Sequence, residues 1–449
     1  YFKDNFIIEE FEIRTKDNKI KDLISIASLE QPSLIIYNIF VKEGYANLGG
    51  YIKFDESGKI IDHKFDGQVK KAKVKFSDKY SFGNINFNFT NQNDKISINN
   101  TNFHHKKIKL LSDKINITTD TDGKKIVTGD VRTEKNTINS TILKDIFKND
   151  LNFIYDQEII FEIKNKFSFN IKKGKIKALK FSSKIDLDSL SLKQKNNLLK
   201  NYFNNYKDSI LLKNNSIRLK YENKNLNIEG ESEYSFSESF DKIEYKIDKK
   251  NDNYDFLTSI NFDSNPIIIE PIDYSKKINK KSNLKLKGSY NKNKVKFNEV
   301  IYNEGSNFFE IKDLILNNKF KIVSLNKVKV DYLNMNNRKN EFDIKKDSIN
   351  YNLNGLSFDS YKLINDILLS DSDKNFLDNF DLEDFTKLNI NLNKVFLNEE
   401  SFSNNLFGEL IIKNNKVHSL NLTSVFKNNK KFKLEVKTLK NKQKITSFY

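Results

Sequence analysis

Cysteine is absent from all 449 residues. No disulfide framework and no thiolate metal site can therefore be built. The compartment stays open on this ground, since a cytosolic chain and a disulfide-free periplasmic one both fit. Proline occurs only at Pro32, Pro266 and Pro271, and no Pro/Gly/Ser-rich run interrupts the text. A chain of this length normally divides into domains, yet no linker is offered. The histidines are His63, His104, His105 and His418. His104 and His105 are neighbours, so in a strand they point to opposite faces and do not converge on an ion.

Neither a Gly-rich phosphate loop nor a Gly-x-Ser-x-Gly elbow occurs. Asp120-Thr121-Asp122-Gly123 opens like a calcium loop but lacks the later ligands, and it reads as a hairpin turn. Asp371 and Asp373 sit in a polar loop without the apolar surroundings of a catalytic pair. No catalytic, cofactor-binding or metal-ligating residue is assigned. The longest apolar run, residues 34–41, is broken by Asn38 and falls far short of the ~20 residues of a membrane span. This leaves open an anchor upstream of Tyr1.

The formal charge is +17, from 77 basic and 60 acidic residues. Basic residues are interleaved with acids throughout rather than gathered on one face, which argues against a nucleic-acid partner. The short basic clusters at 69–75 and 274–281 read as solvated edges or loops.

What the chain has in abundance is period-two alternation. In residues 385–449, Leu388, Ile390 and Leu392 share one strand face. Leu410 and Ile412, Leu420 and Leu422, and Phe432, Leu434 and Val436 follow the same rule. Asn389, Asn391, Lys433, Glu435 and Lys437 take the opposite, watered face. A one-residue slip would expose every apolar group, so register is strongly specified.

The same text fills the chain upstream. Residues 1–138 read as strands and turns, with Gly49-Gly50 breaking the pattern ahead of Tyr51. Helical spacing is confined to 140–148 behind Ser140, to 194–206 with the stripe Leu198, Leu199, Tyr202, Phe203 and Tyr206, and to 361–369 with a short second helix at 376–380. About 25–30 strands follow at the usual ~5–6 residues each. The fold class expected is all-β with a few short helices: one long meandering antiparallel sheet, curled into an elongated open groove. No fixed repeat of 20–45 residues supports a parallel β-helix.

Residues 355–449 resemble the C-terminal region of the AsmA-like family of periplasmic β-groove proteins. The matching text is Asn354-Gly355-Leu356-Ser357-Phe358-Asp359 ahead of a helix, the paired strands around Asn389–Val395 and Phe407–Leu410, and the closing Gln443–Tyr449. The family's closing strand runs on into Asp-Ala-Gly, which lies past Tyr449, and the chain reads as a fragment of a longer one. Residues 1–354 then form a continuous groove segment and 355–449 the C-terminal region.

The resemblance implies a periplasmic protein of a Gram-negative-type envelope, held in the inner membrane through a segment outside this sequence. It implies conduction of phospholipid acyl chains toward the outer membrane, with outer-membrane components as partners, no cofactor and no enzymatic role. Leu388, Ile390, Leu392, Leu410, Ile412, Leu420, Leu422, Phe432, Leu434 and Val436 become candidates for lining the lipid path. The main concavity should be long and aliphatic, with no buried convergence of polar groups. A structural or adhesive β-rich envelope protein is the alternative, and a polysaccharide-acting β-helix enzyme a third.

Overall fold

The computed structural model describes residues 8–449 apart from 31, 78–79, 143–153, 157, 173–174, 194–201, 204–206, 208, 292–293, 349, 363–384, 399, 414–415, 440–441 and 449. Strand accounts for 74% of the structure and helix for 7%. Among the described residues, 27 strands belong to one hydrogen-bonded sheet, which is not closed into a barrel. The fold is all-β with few helices.

Each strand pairs mainly with its sequence neighbours. The turns between them are tight because their residues accept left-handed backbone. Asn223 and Lys224 have φ of 52° and 65°, the two positive values that a two-residue type I′ hairpin turn requires. Asn93 and Asn251 open two other two-residue turns, each with a single positive φ, at 47° and 56°. With so little chain spent on turns, the strands outgrow the usual length: Val41–Phe54, Ile60–Lys75 and Lys175–Lys193 have 14, 16 and 19 residues.

Three expectations are corrected here. Gly49 and Gly50 do not break a strand but lie inside Val41–Phe54. A side chain on Gly50 would meet the Lys64 carbonyl at 2.2 Å and the Phe65 ring at 2.6 Å, so the neighbouring aromatic occupies its place. The sheet is mixed rather than purely antiparallel: Asn350–Asp359 runs parallel to Phe385–Phe396, with Leu353 opposite Ile390. Residues 360–384 supply the long crossover that a parallel pair needs. Finally, residues 20–40 are helical, not stranded, as Ile20–Glu30, a 3₁₀ turn Pro32–Ile36 and Tyr37–Phe40.

The helix expected at 140–148 begins at Ser140 and is described as far as Ile142. Asn139, not Ser140, caps it, its Oδ1 accepting from the Thr141 amide at 2.9 Å. Tyr361 and Lys362 are helical too. The rest of those segments, 376–380, and most of 194–206 lie outside the described residues. Tyr202 and Phe203 are described and are not helical.

Packing divides the chain into two compact units, residues 1–191 with 213–228, and residues 192–212 with 229–449. A boundary at 354 would fall within the strand Asn350–Asp359.

Candidate functional site

In the C-terminal unit the alternation produces rows of apolar residues that cross the sheet from strand to strand. Leu353, Ile390, Gly408, Leu422 and Leu434 stand opposite one another in turn. A second row holds Tyr351, Leu388, Leu410, Leu420 and Val436. The first row continues upstream through Ile344, Val328, Ile311, Val300, Leu286 and Thr258 to Tyr245. At about 4.8 Å per strand, these twelve positions make a path on the order of 50 Å long.

The C-terminal end of this face surrounds a cavity of ≈ 300 Å³. Eight of the ten candidates line it: Leu388, Ile390, Leu392, Leu410, Leu420, Leu422, Phe432 and Leu434. Ile412 and Val436 do not line it, and both are buried. Leu353, Phe358, Val395, Leu397, Leu406 and Val417 complete the apolar wall, and among the described residues Ser360 is the sole polar one lining it. Leu392 and Val395 are sealed, at 2% and 1% exposure, whereas Ile390, Leu410 and Leu434 remain half-buried. Gly408 leaves the middle of the first row without a side chain, and a methyl there would sit 2.8 Å from Leu422.

On the opposite face Asn391, Lys433 and Lys437 are exposed. Asn389 and Glu435 are half-buried: Asn389 donates to Asn352 at 2.8 Å, and Glu435 pairs with Lys433 at 2.6 Å. That hydrogen bond from Lys433 holds the Glu435 carboxyl below its ordinary range.

Farther upstream in the same unit, something covers the face. Ile267–Ile269 and Tyr274–Lys276 form a small hairpin of their own. It packs over Ile243, Ile260, Leu284, Tyr302 and Phe309. Tyr274 and Lys276 are completely buried, although the basic cluster at 274–281 reads as a solvated loop; only its second part, residues 277–281, is exposed. The Tyr274 hydroxyl lies 3.1 Å from both the Tyr302 hydroxyl and Glu304, and burial pushes its pKa far up.

The Lys276 ammonium donates to the carbonyls of Asn265 and Asp263, at 2.8 and 3.2 Å. Burial lowers its pKa, opposed by Asp241, Asp263 and Glu304. Asn265 in turn donates to the buried Asp241 at 2.6 Å. A buried polar cluster therefore exists where none was expected. It fastens the hairpin, and a buried unpaired polar group would otherwise be strongly unfavourable. Tyr332 donates to the Ile272 carbonyl at 2.8 Å, and Lys362 pairs with Asp273 at 2.6 Å. The alternation of Ile267 and Ile269, followed by Tyr274, was the available signal, obscured by the lysines.

The N-terminal unit repeats the rows without the cover. Leu48, Gly67, Phe89, Ile98, Ile115, Gly129, Phe167 and Phe181 stand opposite one another. All eight are half-buried. Among the described residues of this unit, a sealed cluster forms only around Ile138, Ile154, Ile159 and Phe161. The other basic cluster, 69–75, lies inside Ile60–Lys75, which is paired on both sides, so it is neither edge nor loop. Lys70 and Lys73 are in ion pairs with Asp17 and Glu43.

The remaining polar candidates are local. Asp120 closes its turn by accepting from the amides of Asp122 and Lys124. His105 Nδ1 is 3.0 Å from the Ser81 carbonyl. Among the described residues no three acidic or histidine side chains converge on a metal position. Asp371 and Asp373 lie outside the described residues. Asp359, at the end of the Gly355-to-Asp359 motif, is buried and bonded by Arg338 at 3.0 Å and Asn334 at 2.9 Å. Among the described residues no helix is long and apolar enough to cross a membrane.

Comparison with protein-family models, with curated proteins and with solved structures found no match to this chain.

Proposed function

We propose that this chain is a section of an envelope lipid-transfer protein of the AsmA-like kind, conducting phospholipid acyl chains along its apolar face. In this reading it works in the periplasm, held to the inner membrane by a segment outside this sequence, and it carries out no chemistry. The observation that supports it is the aliphatic row of the C-terminal unit ending in a cavity lined, among the described residues, by fourteen apolar residues and Ser360. Such a lining offers no grip for a polar substrate, while its volume sits at the lower end of the ~300–1,000 Å³ of ligand pockets. An acyl chain of about 16 carbons loses roughly 12 kcal/mol in water at ~0.8 kcal/mol per methylene, and an apolar wall removes most of that barrier. The hairpin over Tyr302 and Phe309 is then a stop on the path, and lipid passes it only when it is displaced.

The test is Ile390→Asp in the full-length protein, with a photo-crosslinker at Leu434. Loss of phospholipid crosslinking with the β-sheet circular dichroism intact is expected. Collapse of the sheet signal would mean an ordinary closed core. Crosslinking that persists in the intact variant would mean that lipid does not pass Ile390. A parent protein that crosslinks no lipid at all would favour a structural or adhesive envelope role.

A further inference from the structure

Residues 23–41 hold a single charged residue, Glu30, in a chain that is 31% charged. They fold as the helical segment Ile20–Glu30, Pro32–Ile36 and Tyr37–Phe40. One side of this segment rests on the N-terminal unit: Leu23 and Ile24 are half-buried, and Ile20 reaches the space left by Gly44. The other side is bare. Ile26, Leu29 and Ile39 are 65%, 81% and 63% exposed, and Ile35, Ile36 and Tyr37 are more than half exposed. Phe76, which touches Phe40 at a ring distance of 5.2 Å, extends the bare surface. Scattered exposed aliphatics are ordinary, but a contiguous group this size marks a contact surface.

Three polar side chains of the segment are bonded within it. Ser25 donates to the Lys21 carbonyl at 2.9 Å, Ser28 to the Ser25 carbonyl at 2.7 Å, and Asn38 to Ser25 at 3.2 Å. The last bond ties the two helical legs together. The exposed side chains of Ile26, Leu29, Ile35, Ile36 and Ile39 offer methyl and methylene surface, without the hydrogen-bonding groups that protein interfaces carry at about one per 100–200 Å². Cations flank it on both sides in the sequence. Arg14, Lys16, Lys19 and Lys21 precede the bare surface and Lys42 follows it. Of the nearby acids, Asp17 and Glu43 are already paired with Lys70 and Lys73, while Asp22 in the first helical turn is exposed.

An apolar face flanked by cations fits an anionic lipid bilayer. We propose that residues 20–40 are an interfacial anchor: the helical segment lies in the headgroup layer with Ile26, Leu29, Ile36 and Ile39 among the acyl chains. Lys16, Lys19, Lys21 and Lys42 sit on the phosphates. The site is separate from the cavity of the C-terminal unit, and its occupation does not require that lipid be carried there.

Flotation of the purified chain with vesicles tests it, comparing 3:1 phosphatidylcholine and phosphatidylglycerol with phosphatidylcholine alone. Binding to the anionic vesicles is expected, weakened by salt. Lys19→Glu/Lys21→Glu should lower it by about fivefold or more per lysine. Ile26→Glu/Ile39→Glu should lower it by about tenfold or more. Because the chain has no tryptophan, Leu29→Trp supplies a signal that survives any loss of affinity elsewhere: its indole emission should shift to the blue on adding vesicles and be quenched by brominated acyl chains. Undiminished flotation of Ile26→Glu/Ile39→Glu, or an indole emission from the Leu29→Trp variant that is blind to vesicles, overturns the proposal. So does a parent that ignores anionic vesicles and instead sediments as a dimer that Ile26→Glu/Ile39→Glu dissolves; the surface would then be an interface between copies.

Discussion

The two units are written in the same alternating text and end in different states. In the C-terminal unit the inward residues meet one another: Tyr274, Val330, Tyr332, Leu392, Val395 and Val436 belong to one sealed cluster. In the N-terminal unit the row from Leu48 to Phe181 stays half-buried throughout, as the C-terminal row from Tyr245 to Leu434 does apart from Leu422, but among the described residues no sealed cluster of that size accompanies it. Composition does not explain this, because both faces are built mainly from aliphatic and aromatic residues. What differs is what lies over the face. The C-terminal unit supplies its own cover, a hairpin inserted between consecutive strands, and its last strands close around a cavity. No comparable insert covers the N-terminal row among the described residues. Alternation therefore decides which residues face inward, and insertions decide whether that face becomes a core or a surface.

The largest effect expected from this difference is at the sealed positions. Leu392→Asp places an unpaired charge at 2% exposure and should unfold the C-terminal unit, a loss of more than about 4 kcal/mol in urea denaturation. Ile98→Asp, on the half-buried N-terminal row, should lose roughly half as much or less, since water reaches it. Equal losses would erase the distinction between the units.

Ion pairs should divide the same way. Arg338 and Asp359 are 16% and 4% exposed at their side chains. Arg338→Ala strands a buried carboxylate and should destabilise by about 3–5 kcal/mol. Lys70 and Asp17 are 44% and 46% exposed, and Lys70→Ala should change stability by less than about 1 kcal/mol. A double-mutant cycle at each pair measures both.

A smaller effect appears in acid. Lys327 and then Lys312 hold the Glu310 carboxyl below its ordinary 4.5. A carboxyl with a lowered folded pKa stabilises above its unfolded value, and that stability is lost as pH falls below 4.5 through the folded pKa. The C-terminal unit should therefore lose stability on that limb, and Lys327→Met should flatten it, measured by denaturation from about pH 6 to about pH 3. An unchanged acid limb would mean that Glu310 is not differentially bound in the folded state.

Much of this was legible in the residues. Leu388 to Leu392 and Phe432 to Val436 declare their faces by period two, and a sheet partner only has to respect that register. The parallel pairing of Leu353 with Ile390 left no such trace, because parallel and antiparallel strands share the same alternation. Residues 34–41 are apolar in both periods, so strand and helix could not be told apart there. Lys276 was unreadable for another reason. Its burial depends on carbonyls of Asp263 and Asn265, which a tertiary fold brings to it and no local pattern announces.

The measurement closest to the central claim uses two neighbours on one strand. Photo-crosslinkers at Ile390 and at Asn391 in the full-length protein differ only in the face they sample, cavity or water. Phospholipid adducts at 390 and none at 391 are predicted. Equal labelling at both, or none at 390 while lipid labels another part of the chain, would contradict a lipid path along the apolar face of the C-terminal unit.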